Sequence, residues 1–388
     1  MRKLMVLAVL VLAGMLAAPA AVSAQDVIKL GIATPLSAPG DYKSGQIQVQ
    51  TTELAVEELN AKGGLLGKKV VLVKADDEGK PAVGVTAVQR LIANEKVSAI
   101  VGPWHSSVAM AQAKVVNESG VPMMMNYTWA DDLTGKNSPY VWRVGPYNSE
   151  IAALLVPYIQ KSGFKTMAIM HETTAFGTPF AESLMKLAES KGIKVYKTAY
   201  PAEAADLKPQ LLELKSKTPQ PELLVIAAVY QAMNLIPKQA HEIGLAPKMS
   251  LLACWDWPTY PDFWEVMGDK GVGMTYATFE SKKLKLSPLG ESFKKAFKAK
   301  HNFEPPVFGF FLYDGIMIIA EAVKKANSAD PKKINEALAQ TKFAGTTGEI
   351  VFERKDGPVW NQWTGHQLFV KKLTAVKQKG EDADVIYP

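Results

Sequence analysis

Apolar residues fall along this chain in short continuous runs, separated by longer stretches with helical spacing. Residues 27–33 (VIKLGIA) read as a strand, and residues 34–45 as a Ser/Pro/Gly loop with Asp41-Tyr42 near its tip. Residues 46–61 carry the helical period, closed by Gly63-Gly64 as a C-cap. A strand at 70–74, an acidic turn at Asp76-Asp77-Glu78 and a helix at 81–94 follow. Residues 97–101 (VSAIV) form a short buried strand, broken by Gly102-Pro103. Trp104, His105, Ser106 and Ser107 fill the turn before a helix at 108–118. The first N–H groups of such a helix have no partner within it, and the helix dipole favours an anion there. A strand at 123–125 leads to the loop NYTWADD.

The pattern then restarts. Strands are expected at 165–170, 194–198, 223–229 and 249–253, with helices at 178–190, 207–216 and 232–243. VSAIVGPWHSS…VPMMMNYTW and LLVIAAVYQAM…APKMSLLACWDW share one plan of strand, aromatic-polar turn, helix, turn, strand and second aromatic-polar turn. Strands alternating with helices predict parallel βαβ units, and the shared plan predicts two similar α/β lobes, each a doubly wound parallel sheet. After Gly273 come helices at 294–300, 313–326 and 331–340 and strands at 345–352 and 367–370. These must join lobes already begun, so the chain crosses between lobes more than once and the crossings form a hinge. The expected division is residues 25–146 plus 277–352 for lobe 1, and 147–276 plus 353–388 for lobe 2.

The first 24 residues stand apart. Arg2-Lys3, an apolar core at 4–16 and the small residues Val22-Ser23-Ala24 read as a secretory signal peptide cut after Ala24. No Cys follows its apolar core, so no lipid anchor is expected. Of the 388 residues, 48% are hydrophobic and 21% charged, an ordinary globular balance for about two domains. Removing the leader lowers the formal charge from +6 to +4. The lysine pairs are scattered and not interleaved with aromatics, which argues against nucleic acid. The single cysteine, Cys254, excludes an intrachain disulfide.

Chemistry-bearing motifs are missing. The chain has no H-E-x-x-H, C-x-x-C, G-x-S-x-G or G-x-G-x-x-G, so neither a metal site, a cofactor nor a catalytic residue is expected. GGLLGKK at 63–69 lacks the GK[ST] ending of a phosphate loop and reads as a helix cap and turn. Aromatic residues in turns are plentiful: Trp104, Tyr127, Trp129, Phe176, Tyr230, Trp255, Trp257 and Tyr260. Cores use the faces of strands and helices, whereas these lie just past strand ends, where open α/β sheets bind ligands. Ser106 and Thr128 offer hydroxyls beside them, and His105 and Asp256 offer charge. An anion at Ser106 and a cation at Asp256 would fit a zwitterion.

Over nearly the whole chain after residue 24, the sequence resembles the periplasmic branched-chain amino acid binding proteins, type I solute receptors of ABC importers. The resemblance rests on AVEELNAKGGLLGKK at 55–69, on IVGPWHSS, VPMMMNYTWADDLT and WRVGPYNSE, and on TAFGTPFAESL. It implies the type I periplasmic binding protein fold, three crossings between lobes, closure on a small carboxylate and delivery to an inner-membrane permease. It places the carboxylate-binding serine at Ser106, preceded by Trp104 and His105. A second loop of small residues falls on Tyr127-Thr128-Trp129. The resemblance also implies ligand rings at Tyr42, Phe176 and Tyr230, and an acid for the ligand's ammonium at Asp256. Tyr127 and Trp129 replace small residues, which suits either a smaller ligand or a flat aromatic one.

The expectation is a monomeric periplasmic receptor for a branched-chain or other apolar amino acid. An aromatic acid as ligand, or a sensing rather than a transport role, stands beside it. A secreted enzyme with His105 or Asp256 as base is the competing class, without a partnered nucleophile to support it.

Overall fold

The computed structural model describes residues 27–280 and 284–388; the expected signal peptide lies outside the described residues. In the first lobe the chain runs β1 (Ile28–Thr34), α1 (Tyr42–Ala61), β2 (Val70–Asp76), α2 (Pro81–Ala93), β3 (Ala99–Val101), α3 (Ser106–Ser119), β4 (Met123–Met125) and β5 (Val141–Arg143). These strands pair in parallel, with β1 between β2 and β3. Strands β1, β3 and β4 are buried almost throughout, as expected for a parallel sheet covered on both faces by helices. Helix α1 starts earlier than the expected 46 because Asp41 caps it: its carboxylate accepts from the Ser44 N–H at 3.3 Å and the Ser44 hydroxyl at 2.6 Å. Tyr42 is therefore the first residue of a helix rather than part of a loop.

The chain crosses over and repeats the plan: α4 (Asn148–Lys161), β6 (Thr166–Glu172), α5 (Gly177–Glu189), β7 (Lys194–Tyr200), α6 (Lys208–Lys215), β8 (Leu223–Ala227), α7 (Ala232–Glu242), β9 (Ser250–Ala253), α8 (Pro261–Met267) and β10 (Thr275–Thr278). It returns to the first lobe with α9 (Pro288–His301), α10 (Val307–Ala326) and α11 (Pro331–Leu338). The single late strand expected at 345–352 is instead a hairpin, β11 (Lys342–Ala344) with β12 (Glu349–Val351), bent at Gly345–Gly348 and outside both large sheets. Then β13 (Glu353–Arg354) and β14 (Trp360–Gln362) extend the first sheet, and β15 (Phe369–Lys372) and β16 (Asp384–Tyr387) extend the second.

Each sheet has seven strands, ordered β13-β14-β5-β4-β3-β1-β2 and β16-β15-β10-β9-β8-β6-β7. The two orders match position by position. They differ at the added strands: β14 joins β5 in parallel, whereas β15 joins β10 antiparallel. The pairing of β10 with β15 keeps Ala277 and Thr278 on the second sheet, and that of β14 with β5 keeps the chain on the first sheet to Gln362. The exchanges expected before 277 and 353 thus come too early, because strand pairing rather than composition decides them. Among the described residues no helix is long and apolar enough to cross a membrane.

Gly102, which ends β3, fixes the turn that follows. Its φ is +96°, and a Cβ there would lie 2.5 Å from the carbonyl oxygen of Ala33 in β1. Gly102→Ala should therefore destabilise the protein by about 1–3 kcal/mol or more, read as a lowered midpoint in urea unfolding at unchanged m-value.

A candidate ligand site between the lobes

In both sheets the strand order reverses at the same place, between β1 and β3 and between β6 and β8. Connections leave such a pair toward opposite faces, and the crevice at the carboxyl ends stays open to a ligand. Here the two crevices face each other and are shut. The Ala175 N–H, after β6, donates to Ser107 Oγ in α3 at 3.2 Å. The His105 ring stacks on Tyr230, after β8, with centroids 4.4 Å apart and planes within 6°. Trp104 meets Trp255 edge-on at 5.9 Å, and Trp129 meets Phe176 at 5.6 Å. At the rim Lys43 pairs with Asp262 at 3.0 Å.

These contacts leave a small cavity lined by residues of both lobes. Of the residues expected at a site, Trp104, His105, Ser106, Tyr127, Trp129, Phe176 and Tyr230 line it. Trp104 and Tyr127 are stacked at 5.8 Å, and Tyr127 meets Trp129 edge-on at 5.2 Å, so the first lobe contributes a nearly continuous aromatic wall. Trp255 completes it from the second lobe, its Nε1–H donating to the Ala228 carbonyl at 2.9 Å; Trp257 packs behind it.

Three expected residues stand elsewhere. Tyr42 is 40% exposed on α1, moved out by the Asp41 cap. Thr128 is buried behind the wall, its hydroxyl donating to the Pro103 carbonyl at 2.5 Å and so tying the loop after β4 to the loop after β3. Asp256 is buried but does not line the cavity; burial pushes its carboxyl up to about 7.

The cavity's polar groups come from both lobes. His105 is the N-cap of α3 but caps nothing with its side chain, and the first N–H bonded within the helix is that of Ala109. The N–H groups of Ser106, Ser107 and Val108 thus lack helical partners at the cavity's edge. Ser106 Oγ accepts from the Ala130 N–H at 3.3 Å, which leaves its own proton to donate. His105 Nε2 accepts from the Asp41 N–H at 3.5 Å, and burial holds the imidazole neutral by pushing its pKa down to about 3. From the second lobe comes Glu172, the last residue of β6 and 2% exposed. Its Oε1 accepts from the Thr174 hydroxyl at 2.8 Å and its Oε2 from the Val229 N–H at 3.0 Å, which joins the two loops at the crevice. Burial pushes this carboxyl up to about 7. Among the described lining residues Glu172 is the only acid, and there is no Lys or Arg.

A family model described as periplasmic binding protein matches residues 27–371. The chain belongs to the periplasmic binding proteins. It is 30% identical over 329 residues to the Leu/Ile/Val-binding protein homolog 7 of Brucella abortus, covering 80% of each chain. Its fold superposes on the branched-chain amino acid transporter substrate binding protein of Streptococcus pneumoniae in complex with isoleucine, with a TM-score of 0.80 at 23% identity, covering 93% of this chain and 100% of that one. It also superposes on a solute binding protein of an ABC transporter from Rhodopseudomonas palustris in complex with 3,4-dihydroxybenzoic acid, with a TM-score of 0.77 at 21% identity, covering 93% and 97%. As a periplasmic binding protein the chain has a substrate-binding role, and its relatives are receptors rather than enzymes.

Sequence motifs do not single out Glu172 as a site residue, and they place Trp255 among the turn aromatics without assigning it a role. Glu172 sits in the loop HETTAFG, whose ring Phe176 was expected in the site, and it ends a strand that is otherwise apolar. An acid in that position is the signal that could have found it. Arg143 was also missed as a support. It is fully buried at the end of β5, donating to the Thr128 carbonyl at 3.1 Å, the Ala130 carbonyl at 2.8 Å, Thr134 Oγ1 at 3.0 Å and the Gln362 side chain. It thereby holds the loop that carries Tyr127 and Trp129. Arg143→Met should cost about 3 kcal/mol or more, since the carbonyls left without donors cost roughly 1–3 kcal/mol each. Chemical unfolding measures that loss.

Proposed function

We propose that this periplasmic binding protein is the receptor of an ABC importer for a small apolar carboxylate, an amino acid of the leucine, isoleucine and valine type being the leading ligand. The carrying observation is the N-terminus of α3, with its unpaired N–H groups and the Ser106 hydroxyl, opening onto a closed, aromatic-walled cavity between two lobes. A carboxylate held by hydroxyls and backbone N–H groups needs no basic side chain. The apolar body of the ligand lies against Trp104, Tyr127 and Trp255. The relatives named for Leu/Ile/Val binding support the amino-acid reading. In this reading the protein works in the periplasm as a monomer, closes on its ligand without chemical change to it, and hands it to a membrane permease.

A second reading, an aromatic acid, is favoured by the rings themselves. Tyr127 and Trp129 stand where the family resemblance leads one to expect small residues, and a flat ligand can stack on them. The R. palustris neighbour, named with 3,4-dihydroxybenzoic acid, shows that this fold accommodates such a ligand.

A thermal-shift screen of apolar amino acids and benzoates decides between them. A ligand present at 100 times its Kd should stabilise the protein by about 2.7 kcal/mol and raise Tm accordingly. Stabilisation by leucine, isoleucine or valine supports the first reading, and stabilisation by benzoates alone supports the second. The receptor reading fails if no carboxylate shifts Tm. Ser106→Ala should weaken binding of whichever acid is found by about 1–3 kcal/mol, measured by calorimetry, through loss of a hydrogen bond to a charged group. Unchanged affinity would remove Ser106 from the site.

A further inference from the structure

We infer that Glu172 is the residue by which this site prefers a carboxylate that also carries an ammonium group over the plain acid. The inference rests on the reading that a carboxylate sits at the N-terminus of α3. Family resemblance directs attention to Asp256 for this task, but Asp256 does not line the cavity, whereas Glu172 does. A carboxylate can take about four hydrogen bonds. Glu172 accepts one at each oxygen, from Thr174 and from Val229, so each oxygen retains capacity for a ligand donor. These two bonds also fix the carboxyl's place without giving it a counter-ion.

The position relative to the carboxylate seat matters as much. Thr174 bonds Glu172, and the next residue, Ala175, donates its N–H to Ser107 in the first turn of α3. The acid and the carboxylate seat are therefore two ends of one short hydrogen-bonded run. A ligand bearing both charges on a single carbon can engage the two together, and the surrounding rings favour its cation as well.

The groups facing Glu172 leave its charge unbalanced. Tyr200 on β7, Tyr230 after β8 and Cys254 after β9 are its electrostatic neighbours, and burial raises the pKa of each, keeping them neutral. His105, stacked on Tyr230 from the other lobe, is held neutral too. A buried acid in such surroundings is protonated in part near neutral pH. A ligand ammonium favours its ionised form, so binding an amino acid releases a proton and tightens as pH rises through about 7.

Calorimetry with the full-length mature protein tests this, using L-leucine and L-phenylalanine against their amine-free counterparts, 4-methylpentanoate and 3-phenylpropanoate. At pH 8 the wild type should bind one or both amino acids at least about tenfold more tightly than the matching plain acid. Glu172→Gln should lose about 10- to 100-fold in amino-acid affinity and keep or improve its affinity for the plain acid. If Glu172 only braces the loops, both affinities fall together and the inference is overturned. Between pH 8 and pH 6 the ratio of the two affinities should fall in the wild type and stay flat in Glu172→Gln. His105, held neutral by burial, does not titrate over this range. Plain acids or benzoate binding as tightly as the amino acids would sink the role of Glu172 while leaving the carboxylate receptor standing. Binding of no carboxylate at all would sink both.

Discussion

A helix that begins inside a protein brings unpaired N–H groups with it, and buried donors require acceptors. At α3 this requirement falls in the crevice where the first sheet reverses its strand order. Its neighbours are arranged around it. Gly102 lets β3 end against β1 closely enough to aim the helix at the crevice. Thr128 and Arg143 fasten the loop after β4 beside it, so that Tyr127 and Trp129 wall off water. In the proposed reading a ligand carboxylate satisfies the helix without a buried cation, and Glu172, the one acid among the described lining residues, is left to meet an ammonium.

The second lobe repeats the strand order of the first, so its own crevice, between β6 and β8, arrives opposite with loops of matching origin. Contacts across the closed face include the Ser107–Ala175 hydrogen bond, the Lys43–Asp262 and Lys294–Glu381 pairs and the ring pairs of Trp104, His105, Tyr127 and Trp129 with the second lobe. At roughly 0.5–1.5 kcal/mol for each ring pair, and less than 1 kcal/mol for an exposed ion pair, these amount to a few kcal/mol. That is the scale on which a ligand's differential affinity shifts an open–closed equilibrium. Among the described residues the chain changes sheet after β5, after β10 and after β14, so few segments join the lobes.

Much of the fold was legible because buried parallel strands and amphipathic helices carry distinct periods. β1 to β4 and β6 to β9 lie close to where the hydrophobic runs predict them. The hydrophobic pattern does not reveal β5 with its buried Arg143, α8 and β10, which are short and owe their burial to neighbours far away in sequence, nor α4, a 14-residue helix with Pro157 inside it. The extent of each lobe near its ends was misjudged for the same reason, since β10 and β14 are assigned by their partners. Periodicity alone puts Tyr42 in a loop, because the cap that extends α1 depends on one carboxylate, Asp41, rather than on any repeat.

Sequence by itself determined the α/β architecture, its duplication, and the clustering of aromatics and serines past strand ends, because each is written in local spacing. It also determined that the turn Trp104–Ser107 precedes a helix with donors to offer. Only the tertiary structure decided which of these residues share a cavity. Asp256 and Glu172 are both acids at the ends of strands in the second lobe, but only β6 borders the reversal of strand order. The end of β9, one strand further out, is covered by Trp255, and its acid is buried behind the wall that the ligand would meet.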